Sequence, residues 1–117
     1  MSRFADEPIR LSKKGDPGIS GEQAERLQAK IPAWSVIDDH GVAKLVRTYP
    51  SKDYGFLLAL ADKIGSMAEQ VNHHPVLVIE WGKLTVTWWT HTIGGLHRND
   101  YIMAARCDRA AILVHGP

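Results

Sequence analysis

Histidine is the residue type whose number and spacing in this sequence could support chemistry. Three of the six histidines, His73, His74 and His91, fall within one stretch of nineteen residues. An imidazole has an ordinary pKa of about 6.5, so it can donate or accept a proton near neutral pH. No Ser-His-Asp or Cys-His order is apparent, and the single cysteine, Cys107, lies well inside a predicted helix. The pattern therefore favours general acid–base catalysis over nucleophilic catalysis.

Two other interpretations of the same histidines remain open at this point. Three imidazoles can bind zinc or another divalent metal, although adjacent side chains diverge, which makes neighbouring ligands less usual than pairs four residues apart. Histidines at the end of a helix can also be structural, because they cap the last carbonyl groups and complement the helix dipole. Spacing alone leaves a catalytic, a metal-binding and a structural role possible.

The elements that must hold these histidines follow from the hydrophobic pattern. Apolar residues recur at three- and four-residue steps over residues 56–71, which predicts a long helix. His73-His74-Pro75 must leave that helix, because the residue before a proline disfavours the helical conformation. A two-residue turn then joins two strands, and the second of these is expected to end at His91, beside the start of the first. The predicted elements span residues 21–30, 34–38, 42–49, 52–72, 76–81, 84–91 and 100–114.

Hairpins joined by helices indicate an α+β domain. We expect a four-stranded antiparallel sheet with three helices packed on one face, in the order α-β-β-α-β-β-α. In the second strand, Ala43, Leu45 and Arg47 share one face. A capping box at Ser20 is expected to begin the first helix, and Ser51 is expected to cap the second.

Composition agrees with one small domain and argues against several classes of protein. The chain has 117 residues, of which 44% are hydrophobic and 23% charged, with a formal net charge of +1. This near-neutral balance provides no excess of positive charge that would indicate binding to nucleic acid or to an anionic membrane. No segment reads as a signal peptide or a membrane-spanning helix, and one cysteine cannot form an internal disulfide. We expect a cytoplasmic protein, with residues 1–18 as an extended or flexible arm and residues 19–117 as a single domain.

The histidines also form part of a longer pattern. Glu69 stands four residues before the segment His73-His74-Pro75, and Trp81, His91 and Asp100 follow. This spacing closely resembles the signature of the pterin-4a-carbinolamine dehydratase family. The resemblance covers roughly residues 20–112 and agrees with the predicted order of elements.

The resemblance implies an enzyme, a hydro-lyase that dehydrates 4a-hydroxytetrahydrobiopterin to quinonoid dihydrobiopterin in tetrahydrobiopterin recycling, with no metal and no organic cofactor. It implies a small-molecule pterin as the partner and a homodimer or homotetramer, without direct contact to nucleic acid or membrane. The alternative is a non-catalytic dimerisation or interaction module for a partner protein. The implied catalytic residues are His73, His74 and His91, and the residues implied to bind substrate or support the site are Trp34, Glu69 and Asp100.

Some features depart from the family pattern. His97 replaces the Ser or Thr that usually caps the last helix, which is expected to remove the capping box with Asp100. Trp89 is bulky for a position on the same strand face as His91, and the N-terminal arm is longer than the family minimum. The histidines outside the proposed site, which we expect at the surface, are His40, His97 and His115.

Overall fold

The computed structural model describes residues 3–115, with side chains for residues 4–114, so the side chain of His115 lies outside the described part. It confirms the predicted α+β fold and the predicted order of elements. The helices are α1 (Gly21–Gln28), α2 (Tyr54–Val71) and α3 (Arg98–His115). The strands are β1 (Ser35–Asp39), β2 (Val42–Pro50), β3 (Val76–Glu80) and β4 (Lys83–Trp88). No helix within residues 3–115 is both long enough and apolar enough to cross a membrane.

The four strands form one antiparallel sheet in the order β1-β2-β4-β3. Alternation along the strands gives the sheet a buried face, to which Leu45, Val86 and Trp88 contribute side chains with no solvent exposure. The opposite face is open, and Val76 and Val78 are more than 40% exposed there. The helices lie over the buried face, where burial of apolar side chains from both layers stabilises the domain.

Helix α2 delivers the histidine pair to the end of the sheet. The buried side chains of α2 recur at helical spacing, and they are Leu57, Leu60, Ala61, Ile64 and Ala68. The helix ends because Asn72 adopts the left-handed conformation, with φ of 51°, which asparagine tolerates better than most residues. The amide of His73 then donates to the carbonyl of Ala68 at 3.2 Å, and Pro75 keeps the chain extended into β3.

The N-terminal caps of two helices differ from those predicted. Ser20 stands at the N-cap of α1 in an extended conformation, but its side chain makes no capping hydrogen bond. The next residue, Gly21, has φ of +61°, which turns the first amides of α1 away from the geometry that a capping box requires. In α2 the cap is Asp53 rather than Ser51, and its carboxylate accepts from the amide of Phe56 at 3.1 Å.

The last strand is shorter than predicted. β4 ends at Trp88, and Thr90 pairs with Gly95 in an isolated bridge, with the Thr90 amide donating to the Gly95 carbonyl at 2.8 Å. This bridge closes a tight loop over residues 90–95, in which Gly94 adopts φ of +62°. His91 therefore lies in a turn and is exposed to solvent, instead of continuing the strand.

The N-terminal segment packs along α3. Residues Arg3–Asp6 form a short 3-10 helix, and Phe4 and Ala5 are buried in the same core as the sheet. The guanidinium of Arg106 on α3 donates to the carbonyls of Ala5 and Glu7 at 2.9 and 2.8 Å. Side-chain burial and these hydrogen bonds hold residues 4–7 of the arm against the domain.

Candidate active site

A fully buried carboxylate, Asp100, occupies the first turn of α3. One of its oxygens, Oδ2, accepts from the hydroxyl of Thr90 at 2.7 Å and from the backbone amide of His97 at 2.9 Å. A buried charge is costly unless it is hydrogen-bonded, and these two donors account for one side of the carboxylate. The loop over residues 90–95 and the start of α3 are thereby tied to the same group.

The second oxygen of Asp100 bonds to His73. Nε2 of His73 lies 2.6 Å from Oδ1 of Asp100, and the imidazole ring packs at 5.3 Å from the ring of Trp88. An ionised carboxylate only accepts hydrogen bonds, so Nε2 of His73 carries the proton in this pair. In the neutral imidazole this leaves a lone pair on Nδ1, so the pairing sets both the orientation and the tautomer of His73.

His97 caps α3, contrary to the expectation that the capping box would be lost. Nδ1 of His97 accepts from the amide of Asn99 at 3.0 Å, while the His97 amide donates to Asp100. An imidazole nitrogen with a lone pair can thus replace the hydroxyl oxygen of Ser or Thr at this position. His97 is only partly exposed, because its ring is drawn against the helix. His40, by contrast, lies at the surface as expected, with a side chain that is 98% exposed.

His74 forms a second histidine–carboxylate pair, in a more open environment. Its Nε2 lies 2.5 Å from Oε1 of Glu69, which is in the last turn of α2. The two side chains are 53% and 76% exposed. Unlike the buried His73–Asp100 pair, this pair remains accessible to solvent and to a small molecule.

His91 lies at the same end of the sheet, because Val76 at the start of β3 pairs with Thr87 near the end of β4. Its ring packs on the indole of Trp89 with a centroid distance of 4.5 Å, and Nζ of Lys44 lies 3.9 Å from the centre of that indole. Among residues 4–114, no hydrogen bond or ring contact links His91 to the histidine pair. The structure thus brings His73 and His74 into carboxylate pairs and leaves His91 on a surface stack nearby.

Comparison with known proteins identifies the family to which these residues belong. The sequence pattern of the family described as Pterin 4 alpha carbinolamine dehydratase matches residues 17–110. The chain belongs to this family. A relative from Microcystis aeruginosa is 42% identical over 108 residues, which cover 92% of this chain and 93% of the relative. One from Chlorobium limicola is 46% identical over 98 residues, covering 84% and 86%. Both are named "Putative pterin-4-alpha-carbinolamine dehydratase".

The fold of this dehydratase family member also matches a solved structure. The crystal structure of a transcriptional coactivator/pterin dehydratase from Brucella melitensis superposes with a TM-score of 0.75. The match covers 82% of this chain and all of the other, at 21% sequence identity. At that identity the comparison supports the fold alone.

Trp34, which the family resemblance implied as a substrate-binding or supporting residue, lies in a separate part of the core. Its side chain is 2% exposed, and its indole Nε1 donates to Asp108, at 3.0 Å from Oδ1 and 3.1 Å from Oδ2. Asp108 is eight residues beyond Asp100 on α3, a distance of about 12 Å along the helix axis. Trp34 is therefore connected to the site through α3 and not through contact with the histidines.

The polar cluster around Asp108 was not predicted. Its carboxylate also accepts from Nη1 of Arg47 at 2.5 Å and from the hydroxyl of Tyr49 at 2.6 Å. Burial is the main cause that raises the pKa of Tyr49 well above its ordinary value, so this residue acts here as a hydrogen-bond donor. The sequence carried one signal for the cluster: Arg47 shares the inward face of its strand with Leu45, and an inward guanidinium needs a carboxylate partner.

Proposed function

We propose that this protein dehydrates 4a-hydroxytetrahydrobiopterin to quinonoid dihydrobiopterin and water, by histidine acid–base catalysis that uses neither a metal nor an organic cofactor. The observation that carries the proposal is the buried His73–Asp100 pair, which fixes a histidine in one tautomer within a chain of the pterin-4a-carbinolamine dehydratase family. Relatives that are more than 40% identical to this chain over the aligned residues bear the dehydratase name.

The reaction requires two proton movements. The bond between C4a and the hydroxyl oxygen breaks, the departing oxygen takes up a proton to become water, and N5 loses a proton as the C4a–N5 double bond forms. Two imidazoles of opposite protonation state can perform both movements, and each positioned acid or base contributes typically 10²–10⁴-fold in rate. No net proton is consumed, so the pair returns to its starting state after proton exchange with solvent.

The two histidine pairs suit different roles. Because Asp100 holds the proton on Nε2 of His73, Nδ1 keeps a lone pair, which supports His73 as the base that takes the N5 proton. His74 is half exposed and bonds to the carboxylate of Glu69, so it is open to a small molecule and to proton exchange with solvent, and we assign it as the acid at the hydroxyl. We assign His91 to substrate placement, as part of the stack with Trp89.

The partner is therefore a small-molecule pterin, and we also propose that the protein acts as a homodimer or homotetramer in the cytoplasm. The open face of the sheet supports association, because the apolar side chains of Ile37, Val76 and Val78 are between 42% and 48% exposed. Light scattering tests this part: a mass above 13.0 kDa is expected, and a strict monomer would contradict it.

The activity is tested by following the dehydration of chemically generated 4a-hydroxytetrahydrobiopterin by absorbance. The wild type is expected to accelerate it, and His74→Ala to lose at least about tenfold of that acceleration. His40→Asn is the matched control, since His40 is almost fully exposed and asparagine tolerates its positive φ. If the wild type gives no acceleration, the enzyme assignment is wrong and a non-catalytic interaction module becomes the better interpretation.

A further inference from the structure

A cavity of about 400 Å³ lies beside His73, and the N-terminal arm forms one of its walls. The end of α2 contributes Gln70, Asn72 and His73 to one side, while residues 9–12 of the arm line the other. This volume is within the range typical of small-molecule sites. The cavity thus joins a residue of the proposed catalytic pair to a segment that precedes residue 17, where the match to the family begins.

The arm is fixed to this wall by a paired hydrogen bond. Asn99 on α3 is 5% exposed, and its Oδ1 accepts from the amide of Arg10 at 3.0 Å while its Nδ2 donates to the carbonyl of Arg10 at 2.5 Å. One side-chain amide therefore satisfies both backbone groups of Arg10, as a neighbouring strand would. Because Asn99 precedes Asp100 directly, the arm is held by the same turn of helix that orients His73.

Further contacts hold the arm on both sides of this pairing. Before it, the carboxylate of Glu7 forms a two-pronged ion pair with the guanidinium of Arg98 on α3. After it, the hydroxyls of Ser12 and Thr92 lie 2.9 Å apart, and Thr92 follows His91. The arm backbone thus runs from α3 past the His73 cavity to the loop that carries His91.

The side chain of Arg10 is the one in this wall best suited to recognise a ligand. The residue is exposed, and its guanidinium makes no hydrogen bond to any other residue among 4–114. Arg10 lines the cavity and its backbone is held by Asn99, so its guanidinium is not required to hold the arm in place. A guanidinium donates hydrogen bonds in a planar fork and stacks on flat rings, and a pterin offers a ring carbonyl, ring nitrogens and a flat face.

We infer that residues 9–12 are a wall of the substrate site and that Arg10 contacts the bound pterin. This inference rests on the proposed dehydratase function, and it assigns the arm a role in binding rather than in proton transfer. The arm determines how tightly the pterin is held, while the histidine pairs perform the chemistry.

Steady-state kinetics of Arg10→Ala test the inference. This substitution removes the guanidinium but keeps the backbone bonds to Asn99, so folding is preserved. We expect KM to rise by about tenfold, as for loss of one charge-assisted hydrogen bond, with kcat within about twofold of the wild type. Lys14→Ala is the matched control, because Lys14 is an exposed cation of the same arm that does not line the cavity. Titration with dihydrobiopterin, followed by tryptophan fluorescence, should show the same loss of affinity without turnover.

The possible outcomes separate this inference from the proposed function. If the wild type does not accelerate dehydration, the proposed function fails. If the wild type is active but Arg10→Ala has the same KM and dihydrobiopterin affinity as Lys14→Ala, the inference about the arm is overturned while the function stands. A fall in kcat with unchanged KM would also contradict it, since a binding residue should act on affinity.

Discussion

Replacing Asp100 by asparagine should invert the tautomer of His73 and thereby disable it as a base. Asn keeps one carbonyl oxygen, and the backbone amide of His97 together with the Thr90 hydroxyl requires an acceptor on that side. The new amide group must therefore face Nε2 of His73, which lies 2.6 Å from Oδ1 in the wild type. An amide N–H can only donate, so Nε2 would have to accept and the imidazole proton would move to Nδ1.

The magnitude follows from the bond that is lost. A hydrogen bond to a charged group contributes about 1.5–3 kcal/mol, and about 1.4 kcal/mol corresponds to a tenfold change in rate. Asp100→Asn is therefore expected to lower kcat by roughly 10- to 100-fold. The free energy of unfolding should fall by no more than about 3 kcal/mol, which leaves a typical domain folded at 25 °C.

Two measurements together check this prediction. Dehydration kinetics give the loss in kcat, and ¹⁵N NMR of the histidine rings reports which nitrogen of His73 carries the proton. Asp62→Asn serves as the control, because Asp62 is an exposed aspartate on α2. An Asp100→Asn protein that is folded and retains full kcat, or one whose His73 keeps its proton on Nε2, would refute the reasoning.

Three further predictions concern the rest of the fold. Burial raises the pKa of Cys107 to about 12, so at pH 8 roughly one molecule in ten thousand carries the thiolate. A disulfide reagent should therefore label the protein only after denaturation. Rapid labelling of the native protein would contradict this prediction. The hydrogen bond from Arg98 holds the pKa of Glu7 below its ordinary value of 4.5, so the pair stabilises the fold above that pH, and the stabilisation is lost as pH falls through the lower folded-state pKa. The free energy of unfolding of Glu7→Gln should therefore be about 1 kcal/mol lower than that of the wild type at pH 7, and this difference should vanish in acid. A difference that does not change with pH would argue against the ion pair. Trp34→Phe removes the hydrogen-bond donor to Asp108 and should lower the free energy of unfolding by about 2 kcal/mol. The value of kcat/KM should stay within about threefold of the wild type. A large loss of activity at unchanged stability would instead assign Trp34 to substrate binding.

The fold could be predicted from the sequence because its determinants are local. Both hairpins join neighbouring segments, and the apolar steps of α2 specify its buried face without reference to distant residues. The predictions were wrong at the ends of helices and strands, where a single interaction determines how the element is capped or where it stops. Gly21 disrupts the capping geometry at Ser20, and the Thr90–Gly95 bridge ends β4 three residues before His91.

The candidate site was accessible from the sequence only in part. The family pattern named both His73 and Asp100 as site residues. Their hydrogen bond, however, depends on how α3 packs against the sheet, because Asp100 follows His73 by 27 residues in the chain. The prediction for His97 was wrong because capping rules are written for hydroxyl and carboxylate side chains, whereas Nδ1 of its ring accepts the capping hydrogen bond here. The cluster at Asp108 depends on tertiary packing in the same way, and the inward position of Arg47 was its one local sign.

The central claim, that the histidine pairs catalyse dehydration of a pterin carbinolamine, is tested most directly by one rate. The dehydration of 4a-hydroxytetrahydrobiopterin should be measured near pH 7 with and without the wild-type protein, in the presence of a metal chelator. Two positioned acid–base groups are expected to give an acceleration of at least about 10²-fold that the chelator does not reduce. A rate equal to that of the uncatalysed reaction would contradict the proposed activity, and a rate abolished by the chelator would contradict the metal-free mechanism.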